Sequence, residues 1–68
     1  MVELRQLQLR LKTLDGKCLV DDICNEYALG VWTLFELRMG LANTYANAQG
    51  EYKRDVGTII TTLKRLGG

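Results

Sequence analysis

A chain of 68 residues with 47% hydrophobic but only 7% aromatic content has the material for one small domain with an aliphatic seam, and too little for a deep substrate cavity. Two cysteines, no histidine and no serine cannot complete a four-ligand zinc site, and they leave out the commonest nucleophile and general base of neutral-pH catalysis. The formal net charge of +1 conceals an asymmetry: residues 1–37 carry four basic groups against six acidic ones, whereas residues 38–68 carry Arg38, Lys53, Arg54, Lys64 and Arg65 against Glu51 and Asp55, which makes the C-terminal half the candidate for a polyanion.

In chain order, residues 2–14 place leucines at 4, 7, 9, 11 and 14. That spacing fits a short amphipathic helix or an alternating strand; the segment is read as helix. Asp15-Gly16-Lys17 is a turn signal, and under the strand reading it would lead a hairpin into Cys18-Leu19-Val20. Residues 1–18 are thus expected to form an N-terminal extension. The N-terminus has charges every few residues and no apolar core of signal-peptide length. The longest apolar run, residues 27–35, falls far short of the roughly 20 residues of a membrane span. A soluble intracellular chain is expected, with Cys18 and Cys24 reduced and serving as small packing residues.

Asp21 is a candidate N-cap and Asp22 suits the positive end of a helix macrodipole. At about 100° per residue, Ile23, Tyr27, Val31, Leu34, Leu41 and Tyr45 fall on one stripe, so a single helix over about 21–47 is predicted, running through Gly30 and Gly40. A turn over 48–50 favours an antiparallel return. In the second helix, about 51–66, Tyr52, Val56, Ile59, Leu63 and Leu66 recur at core spacing, and Lys53, Arg54, Gly57, Thr61, Lys64 and Arg65 share the other side. The expected fold is all-α: a long antiparallel two-helix hairpin over 19–68 with a short N-terminal helical segment.

The basic face suits folded RNA, since A-form helices offer phosphates and shape rather than an accessible major groove. Gly57 and Thr61, between the two basic pairs, would let a phosphate backbone approach. Leu29, Trp32, Leu37 and Met39 project away from the long helix's core stripe. They pack against the N-terminal segment or form a docking surface, and Leu29, Trp32 and Leu37 are the candidate protein contacts. Carboxylate pairs such as Asp21 with Asp22 or Glu26 with Glu36 read as surface charge, so no enzyme, catalytic residue, metal or cofactor is expected.

Leu34-Phe35-Glu36-Leu37-Arg38, followed by Leu41-Ala42, resembles the Leu-Phe-x-Leu-Arg phrase of the bacterial-type large-subunit ribosomal protein family twenty-nine. Lys53-Arg54-Asp55-Val56-Gly57-Thr58-Ile59-Ile60-Thr61-Thr62-Leu63 resembles that family's second-helix phrase, basic-Arg-Asp-Ile-Ala-Arg-Ile-x-Thr-x-Leu. Residues 19–22 resemble its Leu-Ser-Asp-Glu entry to the first helix. Gly57 and Thr58 stand where that family has alanine and arginine, and residues 1–18 have no clear counterpart, as in a divergent member. The resemblance implies a structural constituent of the large ribosomal subunit, in the bacterial cytoplasm, plastid stroma or mitochondrial matrix. It would bind rRNA near the peptide exit tunnel beside the ribosomal protein of family twenty-three, with no membrane or small-molecule substrate. Arg38, Lys53, Arg54, Lys64 and Arg65 would contact phosphates. The rival expectation is a helical module that dimerises through Leu29, Trp32 and Leu37 without touching RNA.

Overall fold

Four helices make up the computed structural model, which describes residues 2–67: α1 (Val2–Gln8), α2 (Leu14–Ala28), α3 (Leu34–Asn47) and α4 (Gly50–Arg65). The N-terminal leucines settle the choice between helix and strand. Leu4, Leu7 and Leu11 are buried at helical spacing, whereas Leu9, which a strand would place beside Leu7 and Leu11, is 83% exposed. These three leucines join the same core as the rest of the described chain.

The start of α2 lies at Thr13, not at Asp21. Thr13 has extended backbone angles and its hydroxyl accepts from the Gly16 N–H at 2.9 Å, the usual N-cap arrangement. Asp21 sits inside the helix, where its carboxylate accepts from the Arg5 guanidinium and from Gln8 Nε2, tying α1 to α2. Asp15-Gly16 is therefore helical rather than a turn. Glycine is needed at 16 for a different reason: a Cβ there would lie 2.6 Å from Asp55 Oδ2 and 3.0 Å from Thr13 Oγ1. Helix α4 comes that close because Asp55, 1% exposed, reaches the open end of α2. Its carboxylate accepts from the backbone N–H of Lys12 at 3.0 and 3.1 Å, from the Thr13 N–H at 2.8 Å and from the Thr13 hydroxyl at 2.7 Å. Burial pushes this carboxyl's pKa up. The hydrogen bonds from Lys12 and Thr13, with the Lys12 charge, outweigh that and hold it below the ordinary carboxylate range.

The long helix over 21–47 does not form. It breaks at Leu29, the C-cap of α2, and Gly30, whose φ of +75° places it in the left-handed region. The Gly30 N–H donates to Tyr27 O at 3.1 Å and the Val31 N–H to Glu26 O at 3.1 Å, the paired bonds that close a helix when glycine follows its cap. Helix α3 then restarts with a capping box. The Glu36 N–H donates to Thr33 Oγ1 at 3.1 Å and the Thr33 N–H donates to Glu36 Oε1 at 3.0 Å. The break undoes the long core stripe: Tyr27, Val31 and Tyr45 are exposed, while Ile23 and Leu41 are buried.

Residues 48 and 49 link α3 to α4, and the return is antiparallel: Tyr45 meets Gly57, while Ala42 faces Ile60 and Thr61. The α4 stripe holds, with Val56, Ile59 and Leu63 fully buried and Tyr52 packed on them. Helix α4 is the central element, packed on α1, α2 and α3. Val20, Ile23 and Cys24 of α2 and Leu37 and Leu41 of α3 complete the core. Cys24 is buried there and Cys18 is exposed, both as free thiols.

Candidate nucleic-acid interface

The basic residues singled out from the sequence lie on the outer side of the α3–α4 hairpin, and the burial pattern of α4 explains their grouping. Buried Asp55, Val56, Ile59, Thr62 and Leu63 occupy one side of the helix. Lys53, Arg54, Gly57, Thr61, Lys64 and Arg65 fall on the other because steps of three, four and seven return to similar angles. The pairs 53/54 and 64/65 are eleven residues apart, roughly 16 Å along the helix axis. Arg38, half-buried with its guanidinium 5.4 Å from the Phe35 ring centroid, lies in the first turns of α3. The antiparallel return brings it to the same end of the hairpin as Lys64 and Arg65.

Between these ends is a shallow depression lined by Ala42, Tyr45, Arg54, Gly57, Thr58, Ile60 and Thr61. Tyr45, assigned to the core from its periodicity, instead lies across this depression at the surface. Lys53 Nζ stands 4.9 Å from its ring centroid, a cation–π geometry that holds the lysine stem against the hairpin. Gly57 is not open to a phosphate backbone: a Cβ at 57 would meet Tyr45 Cε2 at 3.1 Å. The missing side chain makes room for the tyrosine ring. Thr61 also differs from expectation. Its hydroxyl donates to Gly57 O at 3.0 Å, and Thr58 likewise donates to Arg54 O at 3.0 Å, so neither proton is available to a phosphate and both oxygens act as acceptors.

What the outer face offers a ligand is therefore four exposed or half-exposed cations on α4, Arg38 beside them, and one accessible aromatic ring. Electrostatics favours this face more than the sequence count suggests. Asp55 points inward, and no other carboxylate occurs between residues 52 and 67, which leaves Glu51 in the first turn as the only exposed acid of α4.

The three candidate protein contacts separate. Leu29, 78% exposed, and Trp32, 45% exposed, lie in the connection between α2 and α3. Leu37 is buried in the core, because the restart of α3 at Thr33 turns position 37 toward α4. Among the described residues no group of His, Cys, Asp and Glu is arranged to hold a metal ion, and no helix is long and apolar enough to cross a membrane. Comparison with protein-family models, curated proteins and solved structures finds no match to this chain.

Proposed function

We propose that the chain binds folded RNA through the outer face of the α3–α4 hairpin, as a structural component with no chemistry of its own. The observation that carries this reading is the inward turn of Asp55. It takes Asp55 off the face that carries the cations of α4, and leaves two pairs of like charges, 53/54 and 64/65, roughly 16 Å apart on a rigid helix for phosphates of a folded backbone. Tyr45 adds a ring on which an unpaired base can stack.

The narrower form of the proposal is a constituent of the large ribosomal subunit, in contact with rRNA near the exit tunnel and with neighbouring ribosomal proteins, family twenty-three among them. Its support is the pair of phrases at 34–38 and 53–63, which now fall on the two helices of one antiparallel hairpin. The rival reading, a dimer formed through Leu29, Trp32 and Leu37, loses Leu37 to the core.

Sedimentation of a source lysate through a sucrose gradient after a high-salt wash, with the chain followed by mass spectrometry, tests the ribosomal form. Co-migration with large subunits is expected, and recovery at the top of the gradient would discard it. The coarser claim is tested on purified protein: Arg54→Glu with Lys64→Glu should weaken RNA binding at least about tenfold with circular dichroism unchanged, and wild-type affinity should fall with salt at a log–log slope of roughly −3, as for four phosphate contacts. Unchanged RNA affinity in the double variant would refute the assignment of the face.

A further inference from the structure

The seam between α2 and α3 carries a second surface, independent of the basic face. Both helices pack on α4 but scarcely touch each other, and the seam stands open as a groove of about 350 Å³. Leu19, Ile23, Leu37 and Leu41 form its floor, with Trp32 at one end; Asp22 and Glu26 of α2 and Glu36 of α3 form its rim, and no lysine or arginine lines it. Gly40 lies on its wall with nothing within 4 Å of where a Cβ would stand. Helix α3 also exposes Phe35 and Met39 on the side away from the core.

We propose that this groove docks an amphipathic helix of a partner protein, with leucine-type side chains along one face and lysine or arginine beside them. The apolar floor takes anchors at i, i+3 or i+4 and i+7, the spacing of helix-in-groove recognition. Three carboxylates on the rim with no cation among them set the charge of the partner's flanks. Nucleic acid is repelled by the same carboxylates. The basic face of a second copy holds a shallow depression of Ala42, Tyr45, Gly57, Thr58, Ile60 and Thr61 between its cations, so it supplies charge without a protruding row of leucine-type anchors.

Trp32, the only tryptophan in the chain, lies in the groove and reports its occupancy. The experiment titrates the full chain with a tryptophan-free synthetic helix of leucines at every third or fourth position and lysines elsewhere, and with the same helix carrying glutamates. A saturable blue shift of Trp32 emission with the lysine peptide is expected. Asp22→Lys with Glu26→Lys should weaken it at least about tenfold; Glu36 is left in place because it closes the capping box. Gly40→Leu should abolish the shift by filling the groove. It keeps the fold, since position 40 has open space and leucine is the better helix former. The proposal is overturned by the absence of a saturable shift, by an equal response to the glutamate peptide or by undiminished binding to the Gly40→Leu chain. It is overturned equally if the emission shifts on concentrating the chain alone while sedimentation shows a dimer, which would make a second copy the occupant.

Discussion

Replacing Asp55 by asparagine keeps the shape of the tie between α4 and the start of α2 and removes its charge. The carboxylate accepts two backbone N–H groups and a hydroxyl through two oxygens; an amide has one acceptor oxygen and turns an NH2 toward the remaining donors. At least one part-buried donor is orphaned, at about 1–3 kcal/mol, and a negative charge is lost from the N-terminal end of α2, worth up to about 2 kcal/mol when partly buried. A loss of roughly 3 kcal/mol is expected, against a total of roughly 3–10 kcal/mol for a chain this short. Urea unfolding followed by circular dichroism at pH 7 should show the midpoint falling by about 3 M at a slope near 1 kcal/mol/M. The folded-state pKa of Asp55 lies below its unfolded value. Its contribution is therefore complete above the unfolded carboxylate range near ~4 and is lost as pH falls through the lower folded value. The gap between wild type and Asp55→Asn should close in acid. A variant within about 0.5 kcal/mol of wild type at pH 7, or a gap that persists undiminished below about pH 2, would refute this account of the tie.

Other substitutions probe the same construction. Gly16→Ala, which drives a methyl into Asp55, should cost about 2 kcal/mol or more in chemical denaturation, whereas Gly40→Ala, in open space, should raise Tm by about 4–8 °C through helix propensity alone. Thr33→Ala should lose about 1 kcal/mol with the capping box, and Gly30→Ala a similar amount because a Cβ is strained at φ of +75°. If both are neutral in thermal melts, the break between α2 and α3 is not held by these two residues. Arg54→Glu with Lys64→Glu should leave Tm within a few degrees of wild type, since both side chains are exposed.

The all-α class and the core stripe of α4 were legible because Val56, Ile59 and Leu63 repeat at helical spacing with cations opposite. The α2–α3 break was legible too, but in a different code. Periodicity carried the stripe from Ile23 through Val31 to Tyr45, yet Gly30 followed by Thr33-Leu34-Phe35-Glu36 is a stop signal followed by a capping box. Local backbone hydrogen bonding overrode an apolar pattern that happened to stay in phase. Asp55 entered only the charge balance of residues 38–68, because nothing near it in sequence shows that its partners are Lys12 and Thr13. The cations of the candidate face lie together on the outer side of the hairpin, while its other details differ from the expectation: Tyr45 lies in it, and Gly57 and Thr61 are occupied by contacts inside the hairpin. The acidic groove had only a faint signal, in Asp22, Glu26 and Glu36, spaced four and ten residues apart, and it appears only once α2 and α3 are separate helices.

The bond from Asp55 to Lys12 spans 43 positions, which gives the chain a temporal order as well as a shape. Contacts between α3 and α4 close over a two-residue link and cost little loop entropy, whereas the donors of Lys12 and Thr13 find their acceptor only when α4 is already in place. The expected order is the hairpin first, as a template, with the first turn of α2 completed on it afterwards. In stopped-flow kinetics, Asp55→Asn should accelerate unfolding far more than it slows folding, the mark of an interaction made after the barrier.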